Sequence, residues 1–219
     1  TELRYTDDTH MTIGVAQSLH ACRKFDGAHM ARLFAERYEQ EPWRGYGSGP
    51  PQVFRMLRAG TPWQEAARSL YGGQGSFGNG AAMRVAPVAL FARGDLDQVD
   101  QIARQTAAIT HAHELGIDGA ALQACAVALV LELNPENKLD ASSIITALKR
   151  YVRTSTFLEA LDKVAALHSR RDDQAVAREI GNGIEAQTSV PAALCSFLAH
   201  PASFDEAIHF ALSLGGDTD

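Results

Sequence analysis

Apolar residues recur every three or four positions along most of this chain. Met30, Leu33, Phe34 and Tyr38 form one such series, and Leu96, Val99, Ile102, Ala103, Thr106 and Ile109 form another. That spacing puts each series on one face of a helix, so both segments are predicted to be amphipathic helices. Start signals agree. Thr61 with Gln64, Thr156 with Glu159 and Ser203 with Glu206 stand at capping-box spacing, in which a hydroxyl satisfies an amide of the first turn. Pro62 suits a first helical position, because its missing N–H would go unpaired there anyway. The same reading predicts helices over roughly 9–23, 52–58, 80–91, 142–151, 172–180 and 190–198. The most apolar stretch, 120–133, is interrupted by Gln123 and Glu132 and falls short of the roughly 20 apolar residues that a bilayer core demands. It reads as a buried core helix. No run alternates as a half-buried strand does. With short connections at 42–51 and 134–140 and no internal repeat or low-complexity linker, the expectation is an all-α protein forming a single compact domain over 1–219.

Composition narrows the function classes. Hydrophobic residues make up 46% and charged residues 21% of the 219, enough for a packed core. The net charge of -6 supplies no basic field for phosphate backbones, so direct nucleic-acid binding is not expected and any phosphate must be held by a local device. Cys22, Cys125 and Cys195 are too far apart for a zinc site or disulfide framework, and a reducing, cytoplasmic location is expected. Residues 1–8 carry Glu2, Arg4, Asp7 and Asp8 without an apolar run, which is not the pattern of a secretory signal. No membrane association and a monomeric state are expected. Without an initiator Met, the chain is expected to begin inside a longer protein.

Three segments could carry chemistry. Tyr5-Thr6-Asp7-Asp8-Thr9 opens the first predicted helix, and Gly215-Gly216-Asp217-Thr218-Asp219 follows the last. Short carboxylates and hydroxyls at helix termini can converge on a hard cation such as magnesium, which takes about six oxygen ligands. Four Asp could hold two ions. Taken singly, Asp and Thr before a helix are also ordinary caps, and Gly-Gly-Asp after one is an ordinary turn. The adjacent carboxylates of Asp7 and Asp8 repel unless a cation or hydrogen bonds compensate. The third segment is the glycine-rich loop 71–80, just before an apolar stretch. Glycine lets successive amides point at an anion, and a following helix N-terminus adds its dipole, so the loop suits a diphosphate if it is more than a flexible connector. It is neither a Walker sequence nor a dinucleotide fingerprint after a strand.

Taken in order, Tyr5-Thr6-Asp7-Asp8-Thr9, Arg44-Gly45-Tyr46-Gly47, Gly75-Ser76-Phe77-Gly78-Asn79-Gly80-Ala81-Ala82-Met83-Arg84, Thr110-His111-Ala112 and Gly215-Gly216-Asp217-Thr218-Asp219 resemble the ADP-ribosylglycohydrolase family. Glu114-Leu115-Gly116-Ile117-Asp118-Gly119-Ala120, Gly181-Asn182-Gly183-Ile184-Glu185-Ala186 and Ser189-Val190-Pro191 resemble its subgroup that cleaves ADP-ribosyl-serine and poly(ADP-ribose). The resemblance covers nearly the whole chain. It implies an orthogonal multi-helix fold and a magnesium-dependent hydrolase with two magnesium ions, which manganese can replace. The metal ligands it implies are Thr6, Asp7, Asp8, Asp217 and Asp219, with Asp7 and Asp8 central to catalysis. Gln74, Gly75, Ser76, Phe77, Gly78, Asn79 and Gly80 would hold the diphosphate and ribose of ADP-ribose, with Ser76 and Asn79 as side-chain donors, and His111, Phe77 and Ile184 would line the ligand. His113 takes no assigned role. The substrate would be ADP-ribosylated protein or polymer. The family's general-acid glutamate is expected before Thr1, and a threonine ligand and a further helix are expected beyond Asp219. An arginine-specific ADP-ribosylhydrolase of the dinitrogenase reductase-activating type shares both acidic motifs, and a catalytically silent ADP-ribose-binding module is the reading from another class.

Overall fold

The computed structural model describes residues 4–134 and 136–218. Among the described residues, regular structure is helical throughout, apart from one isolated antiparallel bridge between Gly78 and Glu185. In chain order the helices are α1 (Asp7–Cys22), α2 (Gly27–Gln40), α3 (Gly49–Arg58), α4 (Trp63–Ala66), α5 (Ala86–Phe91), α6 (Leu96–Ala107), α7 (Glu114–Leu131), α8 (Ala141–Leu148), α9 (Ser155–Leu167), α10 (Asp173–Glu179), α11 (Ala186–Ala199) and α12 (Phe204–Ser213). Shorter 3-10 turns cover Ala67–Gly73, Asn79–Ala81 and His168–Arg170.

Caps set many of these boundaries. Asp26, Asp95, Asp140 and Asp172 each accept a first-turn amide of α2, α6, α8 and α10, and Ser203 accepts from Glu206 N at 3.2 Å at the start of α12, as its spacing predicts. Arg23 ends α1 in the left-handed region at φ 56, donating its N–H to Leu19 O.

Four expected boundaries move, each for a visible reason. The helix expected over 80–91 is a 3-10 turn at Asn79–Ala81 followed by α5. Pro87 has no N–H to donate to the Met83 carbonyl, and its ring would clash there, so no continuous helix can pass through. α9 starts from Thr154 instead of Thr156, because the Thr154 amide (3.0 Å) and hydroxyl (2.8 Å) both donate to the Asp118 carboxylate and hold that residue extended. Pro62, with ψ 138, is the cap of α4 and not its first helical residue. α11 begins a turn before the expected Val190, since Ala186 N donates to Phe77 O at 2.9 Å and so finds an acceptor outside the helix.

One contiguous apolar core links α1 to the end of α12. Met11, Val15, Phe34, Val53, Leu122, Phe157, Leu161 and Leu194 belong to it, and Leu214 closes it. Each fully buried side chain of this size contributes about 1.5 to 3 kcal/mol. α7 runs through the middle, against α5, α6, α8 and α11. By length and composition it could cross a membrane, yet more than half of it is buried among these helices. Gly116 lets the glycine loop rest on α7, since an added Cβ would lie 2.7 Å from Ser76 O.

A polar cluster pins the far side of α7. The Asp118 carboxylate, 1% exposed, accepts from Arg104 Nη2 at 2.9 Å and from the Arg153 and Thr154 amides. Arg104 also donates to Asp100, which takes a further bond from Arg153. All three cysteines are unpaired, and Cys125 and Cys195 lie in the core.

Candidate active site

The two acidic segments, 210 residues apart in sequence, face one cavity. At its near wall α1 begins: Asp7 N donates to Arg44 O at 2.7 Å, anchoring the helix start to the segment before α3. Asp7 is buried and Asp8 half-buried, both in the first turn, where the helix dipole favours negative charge. The Thr6 hydroxyl donates to Asp8 Oδ2 at 3.1 Å.

The opposite wall is assembled from three loops. Asn182 Nδ2 donates to Leu214 O at 2.6 Å, and Asp217 N donates back to Asn182 O at 3.2 Å. Gly216 sits between these bonds at φ 79, and a Cβ there would overlap the Asn182 carbonyl oxygen, so only glycine permits the approach. Asn79 then ties this pair to the glycine loop. Its Nδ2 donates to Asp217 Oδ2 at 2.6 Å and its backbone N–H to Ile184 O at 2.8 Å.

Between these walls lies a cavity of about 270 Å³. Asp7, Asp8 and Asp217 line it together with Ser76, Gly78, Asn79, Gly80, His111 and Ile184. The structure thus brings nine predicted residues to one place. Thr6 touches the site through its bond to Asp8, whereas Gln74, Gly75 and Phe77 are outside the lining. Gln74 is exposed, Gly75 is buried beneath the loop against Ala112 and His113, and Phe77 packs edge-on against His113 at 5.4 Å. The Ser76 hydroxyl accepts from Gly78 N at 3.2 Å, while the Asn79 side-chain amide is engaged by Asp217, so their roles in the loop are partly internal. Asp219 lies outside the described residues.

Sequence reading missed two residues that build the site. Asn182 stitches the last loop into place, as above. Arg84 is 1% exposed and lines the cavity floor, its guanidinium 4.8 Å from the Phe34 ring centroid. Burial pushes its pKa down to about 9, against the pull of Tyr46 and Asp7, so it remains charged at neutral pH. His111, buried and next to that charge, is pushed down to about 3, chiefly by desolvation and then by Arg84. Burial likewise raises the Tyr46 phenol, which shares a hydrogen bond of 2.9 Å with His10 Nδ1. Arg84 owes its place to burial and to a position near Asp7, 77 residues away in sequence, neither of which the sequence reveals.

The donors on the acidic walls are oxygens only, two carboxylates and a hydroxyl on one side and a carboxylate on the other, a set that suits a hard dication such as magnesium. Among the described residues, no three His, Cys, Asp or Glu side chains form a compact metal-binding group.

Comparison with known proteins follows the same lines. The family model described as ADP-ribosylglycohydrolase matches residues 2–219. A Mus musculus protein named ADP-ribosylhydrolase ARH3 is 39% identical over 245 residues, covering 99% of this chain and 66% of that protein. Its Homo sapiens namesake is 38% identical, with 99% and 67% covered. The chain therefore spans about two thirds of the length of these relatives. A solved structure described as an ADP-ribosylglycohydrolase-related protein complex aligns with a TM-score of 0.68 at 22% identity, over 98% of this chain and 66% of that one, a likeness of fold.

Proposed function

Because the chain belongs to the ADP-ribosylglycohydrolase family, we propose that it is a magnesium-dependent hydrolase that removes ADP-ribose from serine-modified proteins and cleaves poly(ADP-ribose). The observation that carries this reading is the single cavity in which both acidic loops meet the glycine loop. Likeness to proteins named ADP-ribosylhydrolase supports the reaction class, and the segments 114–120, 181–186 and 189–191 support the serine and polymer preference.

In this reading the backbone at Gly78 and Gly80 and the His111 ring hold the diphosphate and ribose, with Ile184 against the ligand. Thr6, Asp7, Asp8 and Asp217 would hold magnesium, joined by Asp219. When bound, the metal supplies Lewis acidity and an oriented water of lowered pKa. The chain's own residues fix geometry. Asn79 holds Asp217 against the loop, and the Arg44 carbonyl holds the start of α1, so the sugar and carboxylates keep a constant separation. Hydrolysis at the anomeric carbon passes through an oxocarbenium-like transition state, toward which the held ribose and water would be oriented.

The test is release of ADP-ribose from serine-linked, polymeric and arginine-linked substrates, each with magnesium and after chelation. The expected result is magnesium-dependent release from the first two. Asp7→Ala and Asp217→Ala should each lower turnover about a hundred- to a thousandfold, the range for losing one electrostatic stabiliser. Near-normal turnover by both variants, or release from the arginine-linked substrate alone, would overturn the reading.

A further inference from the structure

Arg84 has partners on one side of its guanidinium that its cavity position alone does not require. One Nη2 hydrogen is donated to Thr106 O at 3.0 Å and the other to Thr110 Oγ1 at 2.7 Å. Arginine has only donors, so the Thr110 hydroxyl must accept from it. Thr110 Oγ1 also lies 2.8 Å from His111 Nδ1. Thr110 is fully buried, and no other acceptor for its proton is present among the hydrogen bonds of the described residues. A buried donor left unpaired is costly, so that proton goes to Nδ1. A neutral imidazole whose Nδ1 accepts carries its own proton on Nε2. The ring's other edge faces the glycine loop: a Cβ built on Gly80 would lie 3.2 Å from Nε2, and one built on Gly78 would lie 3.7 Å from it.

We propose that Arg84, acting through Thr110, is a positioning residue that locks His111 as an Nε2–H hydrogen-bond donor at the glycine loop. His111 therefore offers the ligand a donor and offers a metal nothing, since the lone pair of a protonated Nε2 belongs to the ring π system and Nδ1 is engaged. It recognises an acceptor oxygen of the phosphate or sugar. The lowered pKa of His111 agrees, because a neutral ring is the one this arrangement requires. The ligand part of this proposal rests on the ADP-ribose reading above; the tautomer does not.

The tautomer can be read directly by long-range proton–nitrogen correlation on the full chain labelled in histidine, at neutral pH without ligand, the His111 signals being those absent from His111→Gln. The wild type should show a protonated Nε2 and a hydrogen-bonded, unprotonated Nδ1. Thr110→Val, nearly isosteric, should lose the Nδ1 hydrogen-bond signature, admit the second tautomer and weaken ADP-ribose binding by calorimetry about tenfold, the loss of one good hydrogen bond. Thr110→Ser should restore both, and Arg84→Met should admit the second tautomer. A purely structural Thr110 would change melting temperature without changing the tautomer. A wild-type proton on Nδ1, or a valine variant that keeps both tautomer and affinity, overturns the proposal. Wild type that shows the Nε2–H tautomer but does not bind ADP-ribose overturns the ligand reading instead, and the two failures are told apart.

Discussion

His111 loses its proton at about pH 3 in the folded protein, against 6.5 for an exposed imidazole, because its ring is desolvated and stands beside Arg84. Between those two values the unfolded chain holds a proton at this residue that the folded chain does not. Stability contributed by the neutral ring is therefore complete above pH 6.5 and is lost as pH falls through the window toward 3. Denaturant titrations of wild type and His111→Asn at pH 7 and pH 4.5 should show it. The wild-type advantage narrows on acidification with a slope approaching about 1.4 kcal/mol per pH unit, and an unchanged advantage would contradict the buried neutral ring. At this scale the acidic segments and the glycine loop of the candidate site were legible from residue types, which single out Asp7, Asp8, Ser76, Asn79 and Asp217, whereas His111 entered only through the family resemblance. Arg84 and Asn182 were not assigned roles, because their value lies in partners 22 to 35 positions away and in burial that no local pattern encodes.

Between elements, the Asp118 carboxylate joins α6, α7 and the start of α9 through Arg104, Arg153 and Thr154. Asp118→Ala leaves the Arg153 and Thr154 amides without their acceptor, while Arg104 keeps its bonds to Asp100 and to Tyr151 O. The expected loss is about 2 to 4 kcal/mol by chemical denaturation, from two buried amides left unpaired; a loss below about 1 kcal/mol would show that the cluster rearranges freely. The same contact explains why capping-box spacing at Thr156 misled. A tertiary partner fixed Thr154 in the extended conformation that a cap needs, and local sequence carries no trace of it. Where the cap is satisfied within its own helix, as at Ser203, the sequence pattern and the structure coincide. The helical class itself was legible because each helix must turn one apolar face to the core, which imposes three- and four-residue periodicity on the sequence.

Across the whole molecule the site depends on the meeting of segments near residues 7, 79, 182 and 217. Gly216→Ala should test that dependence. Its Cβ would collide with the Asn182 carbonyl, and the backbone at φ 79 disfavours any side chain. The expected result is a substantial loss of ADP-ribose affinity by calorimetry, with a smaller fall in stability than Asp118→Ala, since the loop lies at the protein's edge. Unchanged affinity would show that the Asn182 clasp is not needed to place Asp217.

The bond from Asn79 to Asp217 spans 138 residues of sequence, and this has a consequence for biosynthesis. A ribosome-bound chain can build α1 and the glycine loop early, but the cavity lacks one wall until position 217 has left the exit tunnel and docked. Substrate therefore cannot template the early stages of folding. In the proposed reading it can stabilise the chain only once that wall has docked, by RT ln(1 + [L]/Kd), so the ligand rewards the assembled cavity and does not guide the early folding.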